Sequence, residues 1–542
     1  GNRIRSYPLE PLRGIIYDKN NIPLAINVPK LDLMIIPVDL KKNIAYGEII
    51  KKLSIILEVP ESVINEKLEE NSGFTYPIII AVNVNKDKAI LLESEFSNIP
   101  EIKIQKNSKR EYQDGPIFSH VLGYLGKVTQ EEIKNKKYLL DDSIGRTGVE
   151  QVYDNLIRGV YGEELTEINN LGQAQKVLAT KQPVSGEDLI LSIDAGLQKV
   201  LYQSLKTKLS QLSTSRAAAV AMDPRNGKIL ALVSFPSFDN NSFIEGDPTY
   251  INNLFKNSNY PLINRVISGG YPSGSTIKPM LALAALQENI IDPLKNLTCP
   301  GYINLYNESG NVYWTFKDWD THGTVNMIKA IAESCDVYFY SIGGGYGNQQ
   351  GLGADRIKKY LELFGWGQKT GIDLPGEKAG FIPDEKWKQE TKNEKWYIGD
   401  TYNISIGQGD ITMNPLQLTS AISAVANNGK LYKPQLLQGS ETELIREIPV
   451  EQKYFDIVKQ GMRETIISGS AKSLNDLPVH VAGKTGTAET YNGKVYAHSW
   501  FTAFAPYENP EIVITILIEN GAEIGGMSTA VAKEALNWYF AR

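Results

Sequence analysis

The chain has 542 residues, 22% of them charged, and a formal net charge of −6. That length implies two to four domains with ample core, and the lack of a basic tail or stripe excludes a nucleic-acid partner. Two cysteines are too few for a disulfide framework, as expected of an exported protein that does without one. Four histidines, His120, His322, His480 and His498, none in a context like the Ser-His-Asp enzymes, disfavour a histidine-based hydrolase. No apolar run is long enough to span a bilayer. The chain opens on Gly1 instead of Met, so it is expected to be a trimmed form.

Residues 1–45 contain strand-like stretches such as 31–36. Residues 46–72 read as helical, with Ser62 as the candidate cap of a second helix. Strand-like alternation returns over 73–115, and the charged run 106–111 is expected to be solvated surface. A helix-rich stretch around 126–137 follows, and 181–187 reads as a linker. Residues 189–193 alternate as a strand, and Asp194 is placed to cap a helix through 205. The apolar runs 217–222, 229–233, 500–505 and 512–517 predict the strands of a sheet with helices on both sides. No internal repeat is evident.

Three short strings carry the chemistry. Ser275-Thr276-Ile277-Lys278 follows loop punctuation at Gly270, Pro272 and Gly274 and opens an apolar helical run. Residues three apart share a helix face, so Lys278 lies one turn from Ser275 and can take its proton. Ser334-Cys335-Asp336 falls between two helical runs, and Ser334 is placed to relay a proton to a leaving amine. Lys484-Thr485-Gly486-Thr487 has strand character. There Lys484 is expected to hold a substrate carboxylate and lower the pKa of Lys278, together with the Thr485 and Thr487 hydroxyls, while Gly486 lets substrate backbone come close. Each string alone recurs by chance; the ordered set is the pattern of penicillin-interacting serine enzymes. A second cluster is less determined. Cys299, Asp318, His322 and Cys335 are all good ligands for a tetrahedral zinc, but the spacing is not that of a zinc finger. The two cysteines could equally form a disulfide or be unrelated buried thiols. A metal there would be structural and would support Ser334 from behind.

With these strings in place the chain resembles the class B penicillin-binding proteins, D,D-transpeptidases of peptidoglycan synthesis, over nearly its whole length. Residues 13–25 (Arg-Gly-Ile-Ile-Tyr-Asp-Lys-Asn-Asn-Ile-Pro-Leu-Ala) look like the family's opening box and 145–153 (Gly-Arg-Thr-Gly-Val-Glu-Gln-Val-Tyr) like its second. Residues 222–232 and 235–239 resemble the start of its catalytic domain. Residues 271–279 resemble its active-site box, with Ser273 where proline is usual, and 406–409 with 412–418 resemble a further shared box. Asp336 departs from the usual S-x-N. That variant, with Phe316-Lys317-Asp318-Trp319 and His322-Gly323, is similar to the elongation-type penicillin-binding protein 2; the division and sporulation types are the near alternatives.

The resemblance implies an α/β chain in the broad sense, a multi-domain α+β arrangement. A C-terminal transpeptidase domain like the serine β-lactamases, an antiparallel sheet flanked by helices, would span 186–542. It would stand on an elongated N-terminal pedestal, 1–185, with a head at 46–110. Ser275 would carry the acyl group, with Lys278, Ser334, Asp336 and Lys484 catalytic, Thr485, Gly486 and Thr487 binding substrate, and the N–H groups of Ser275 and Thr487 forming the oxyanion hole. No cofactor is expected for catalysis, and at most one structural zinc. Implied partners are peptidoglycan stem peptides, lipid-linked precursors, β-lactam antibiotics, and a RodA-type glycosyltransferase with elongation-complex proteins on the pedestal. The implied place is the cytoplasmic (inner) membrane, through one N-terminal anchor, with the catalytic domain in the periplasm. A β-lactamase, a β-lactam sensor and a scaffold that activates a glycosyltransferase are the alternatives.

Overall fold

The computed structural model describes residues 3–73, 76–136, 138–139, 142–169, 174–491 and 495–542. Its C-terminal part is built on five strands: β1 (Ala217–Met222), β2 (Ile229–Phe235), β3 (Ala482–Tyr491), β4 (Val495–Ala505) and β5 (Ile512–Ile518). They are ordered β2-β1-β5-β4-β3, and every pairing is antiparallel. The third motif therefore lies on an edge strand, paired only through β4. Alternation along β1 explains why its run is apolar throughout. Ala218, Val220 and Met222 enter one core, and Ala217, Ala219 and Ala221 enter the other. The first core holds helices α2 (Lys278–Gln287) and α5 (Pro415–Ala426); the second holds α1 (Ala195–Leu209) and α7 (Met527–Phe540). Asp194 caps α1 as expected, its carboxylate accepting from the Leu197 N–H at 3.1 Å. Helices α3 (Met327–Glu333), α4 (Asp336–Gly344) and α6 (Gln452–Ile467) complete the first layer.

The N-terminal part holds a five-stranded sheet, in which Pro23–Ile35 pairs with Ile102–Tyr112, and a three-stranded sheet of Arg3–Leu9, Gly162–Ile168 and Ala174–Lys181. Helices Tyr46–Leu57, Glu61–Glu70 and Lys86–Glu95 enclose a separate small core with Leu33, Leu53, Leu68 and Leu92. Three expectations are corrected here. Ser62 is no cap: Pro60 precedes the helix, and Ser62 lies within its first turn. The helix Lys86–Glu95, capped by the Asn85 side chain, interrupts the alternation expected over 73–115. The run 106–111 is the middle of a paired strand, not loose surface, and Arg110 is buried with Nε 2.8 Å from Glu150 Oε1. The helix in the 126–137 stretch spans Gln130–Lys136; residue 137 lies outside the described residues.

Glu150 explains the two N-terminal boxes physically. It is fully buried between Arg110 and Arg13, whose Nε donates to it at 2.7 Å while Nη2 reaches Asp154 at 2.7 Å. A buried carboxylate so clasped is held as an anion, and the guanidiniums keep its pKa below the usual value against the cost of burial. The same box touches the catalytic half. Tyr153 donates to Asp373 at 2.6 Å, and Asp373 also accepts from the Leu436 N–H at 2.7 Å. Among the described residues, no helix is long and apolar enough to cross a membrane.

Candidate active site

Ser275 sits in a tight 3-10 turn, Gly274–Ile277, that runs directly into α2. Pro279 occupies the first turn of α2, where a missing N–H costs nothing. The turn is clasped from two sides. Gly274 has φ +53°, and a Cβ there would meet the Thr487 carbonyl oxygen at 2.4 Å, so only glycine lets β3 lie against the serine turn. On the other side the Gly274 N–H donates to Gly407 O at 2.9 Å, within the box at 406–409.

One turn on, Lys278 is fully buried. Its Nζ donates to Ser334 O at 2.8 Å and Ser334 Oγ at 3.2 Å, and pairs with Asp336 Oδ1 at 2.6 Å. Ser334 can offer both oxygens because it ends α3 in the left-handed conformation, φ 59°. That conformation is costly for a side chain with a Cβ and is held here by the contacts on both sides. Cys335 then caps α4 through its sulfur, and Asp336 is the first residue of that helix. Burial raises the Asp336 pKa, against the pull of the Lys278 ammonium.

β3 brings the third motif to the same place, but its alternation divides the motif. Lys484 and Gly486 lie on the buried face; Thr485 is half-buried and Thr487 exposed on the other. Lys484 is fully buried, with Nζ 2.9 Å from Thr485 O. Burial first, and the Lys278 charge second, push its pKa well below that of a free lysine. Gly486 lies against the serine turn. A Cβ there would meet Thr276 Cγ2 at 2.8 Å and Ser273 O at 3.1 Å, so this glycine seats the strand on the serine turn. Thr485 Oγ1 is 2.6 Å from Ser470 Oγ.

The second cluster also converges. Ligand atoms of Asp318, His322 and Cys335 lie within 4.8 Å of one another, and Cys299 Sγ is 2.7 Å from Cys335 Sγ. Both cysteines are free, buried thiols. His322 Nε2 is buried without a hydrogen-bond partner, 3.4 Å from Asp318 Oδ1. Burial and the neighbouring Cys299 push the Cys335 thiol pKa up.

Three supports had little or no sequence signal. Trp319 donates its indole N–H to Ser334 O at 3.2 Å, and Gln408 reaches Thr487 O at 3.5 Å. Behind the serine turn, buried Glu519 accepts from Tyr271 OH at 2.7 Å and from Arg265 Nε at 2.8 Å.

This arrangement fits an acyl-serine enzyme, and the chain is similar to known proteins of that kind. The family of the penicillin binding protein transpeptidase domain matches residues 217–537, and that of the penicillin-binding protein dimerisation domain matches 8–191. The peptidoglycan D,D-transpeptidase MrdA of Acinetobacter baumannii is 36% identical over 569 aligned residues, covering 99% of this chain and 82% of that one. Penicillin-binding protein 2 in complex with MreC, from Helicobacter pylori, superposes with a TM-score of 0.85 at 28% identity, covering 100% and 99% of the two chains. A chain of a peptidoglycan synthase complex, solved to relate polymerization to crosslinking, matches with a TM-score of 0.78 at 26% identity, covering 100% and 92%. The chain belongs to the penicillin-binding protein transpeptidases and, among these, to the elongation-type penicillin-binding protein 2 (MrdA) group.

Proposed function

We propose that the protein is a serine D,D-transpeptidase that cross-links peptidoglycan stem peptides during cell elongation. The observation that carries this reading is the buried Lys278 Nζ, one turn from Ser275 and bound to both oxygens of Ser334. It joins the first two motifs while β3 closes on the serine turn. In the first half-reaction Lys278, acting as the neutral amine, accepts the Ser275 proton and becomes the ammonium that Asp336 balances, while Oγ attacks the carbonyl of the penultimate D-Ala. The N–H groups of Ser275 and Thr487 hold the developing oxyanion; the contact of Gly274 with Thr487 O, which sets β3 beside the turn, supports that assignment. Ser334 passes a proton from Lys278 to the departing D-Ala. An amine of a second stem peptide then attacks the ester, and its proton passes by way of Lys278 to the departing Ser275 Oγ. Thr485 and Thr487, on the outer face of β3, orient the terminal carboxylate, and Lys484 adds charge from the buried face behind them. A β-lactam mimics the same dipeptide end and acylates Ser275. None of these steps needs a cofactor.

We further infer a structural zinc held by Cys299, Asp318, His322 and Cys335. The buried, unpartnered His322 Nε2 and the close thiol pair support it. Four protein ligands would close the site, so the metal would fix the loop behind Ser334 and take no part in the reaction. The division at residue 185, with a head at 46–110, belongs to the same proposal, supported by the separate small core of the head. So do a membrane anchor with the catalytic domain outside the cytoplasmic membrane, lipid-linked precursors as substrate source, and a RodA-type glycosyltransferase on the pedestal. The MreC and synthase complexes of the related proteins support the partners.

The test is intact-mass spectrometry after incubation with benzylpenicillin. One persistent adduct per chain, absent from Ser275→Ala, is expected. An adduct in Ser275→Ala, or rapid loss of the adduct with release of hydrolysed drug, would refute the reading.

A further inference from the structure

Thr485, in the third motif, is held from two sides. Its carbonyl oxygen accepts from Lys484 Nζ at 2.9 Å, and its hydroxyl oxygen lies 2.6 Å from Ser470 Oγ. Ser470 belongs to the turn that follows α6, outside the three strings. That turn is firmly placed. Gly469 and Ala471 donate their N–H groups to Glu464 O and Thr465 O, both at 3.0 Å, which folds the turn back on the end of α6. A Cβ on Gly469 would collide with Ala332 O, so the turn lies directly against the end of α3, just before Ser334. Ala471 is buried, while Ser470 is exposed. One short turn therefore joins the end of the second motif's helix to the third motif. The side chain it offers reaches the outer face of β3, where Thr485 and the exposed Thr487 stand.

A count of protons gives the pair its meaning. Each hydroxyl carries one proton, and the contact between them uses only one of the two. The other is left to donate elsewhere. With Ser470 as the donor, the spare proton is on Thr485. A hydroxyl that already accepts one hydrogen bond donates more strongly in the next, because bonds in a chain polarise one another. A carboxylate only accepts, so it is the natural taker of that proton. The order with Thr485 as the outward donor is favoured by Lys484. The lysine head is bound to the carbonyl of Thr485, so an anion drawn by it comes to the Thr485 hydroxyl.

We propose that Ser470 is a positioning residue for the substrate carboxylate: its hydroxyl donates to Thr485 Oγ1 and turns the Thr485 proton toward the carboxylate. The inference rests on the transpeptidase reading and deepens it, adding to the carboxylate site a residue outside the three motifs. The experiment compares the second-order rates at which benzylpenicillin and its methyl ester acylate Ser275, followed by intact mass. The ester keeps the reactive ring but has no carboxylate anion. The proteins are wild type, Ser470→Ala and Ser470→Thr, with Ser470→Ala also combined with Thr485→Ala and compared with Thr485→Ala alone. Ser470→Ala is expected to slow benzylpenicillin about fivefold, a factor worth ~1 kcal/mol, and to change the ester rate less than about twofold. Ser470→Thr keeps the hydroxyl and is expected to restore most of the rate. Beside Thr485→Ala, the loss of Ser470 is expected to add nothing, because the serine acts through that threonine. Equal slowing of acid and ester, a wild-type rate in Ser470→Ala, or a further loss beside Thr485→Ala would each overturn the proposal. A wild type that takes the ester as fast as the acid would overturn the carboxylate site itself and Ser470's part in it. An adduct that persists in Ser275→Ala would overturn the transpeptidase reading and the proposal with it.

Discussion

Glu519 offers the sharpest test of how the serine turn is held. It follows β5, is nearly buried, and its two oxygens serve three partners. Oε1 accepts from Tyr271 at 2.7 Å and Arg265 at 2.8 Å, and Oε2 meets Arg216 at 3.1 Å. Tyr271 lies four residues before Ser275 and is pinned on its other side, its N–H and carbonyl exchanging bonds with Met413 at 2.9 Å. Burial, and then the charge of Glu519, push the phenol pKa well up, so the hydroxyl remains a donor. Tyr271→Phe removes one hydrogen bond to a buried charge, about 2 kcal/mol. Glu519→Gln leaves the buried Arg265 guanidinium without its counter-charge, about 3 kcal/mol or more. Because both act through one carboxylate, the double variant should cost clearly less than the two together. Chemical denaturation gives the stabilities, and the benzylpenicillin acylation rate reports the serine turn, which should slow in both single variants. Additive stabilities, or wild-type acylation in Glu519→Gln, would refute the idea that Glu519 holds the serine turn through Tyr271.

Two further outcomes follow from particular contacts. Gly486→Ala drives a methyl group into Thr276 and the backbone of Ser273, so β3 must shift away from the serine turn. Overpacking of this kind costs about 1–3 kcal/mol, and acylation should fall at least tenfold with the fold retained; a wild-type rate would show that the strand need not touch the turn. Metal analysis of the purified protein should find one zinc per chain, absent from His322→Ala and from Cys335→Ser, whose unfolding temperatures should drop by several degrees. Equal zinc content in all three proteins would remove the site.

The three strings were legible because acyl transfer needs particular functional groups, and each string makes a local turn that sequence can describe. Their supports were not legible for a geometric reason. Arg110 and Glu150 are 40 residues apart, and Tyr271 and Glu519 are 248 apart. At such separations a charge that will be buried and paired reads like any surface charge, which is why 106–111 looked solvated. Gly486 was legible as a glycine but not by purpose, since the neighbour that forbids a side chain is the first motif itself. Alternation along β3, in contrast, could have been read from period two alone, and it separates Lys484 from Thr485.

Asp336 shows how a departure in sequence becomes intelligible in space. An amide at that position would offer a donor to a substrate, which a carboxylate cannot do. The structure turns this carboxylate inward, 2.6 Å from Lys278 Nζ, in a site where the lysine is fully buried. A buried ammonium with no opposing charge is costly, and Lys278 becomes one when it takes the serine proton, beside the buried Lys484. Among the described residues Asp336 supplies the negative charge paired directly with Lys278, and it does so from the first residue of α4, where the helix dipole favours an anion. The variant is therefore better understood as the counter-charge of the catalytic lysine than as a weakened substrate contact.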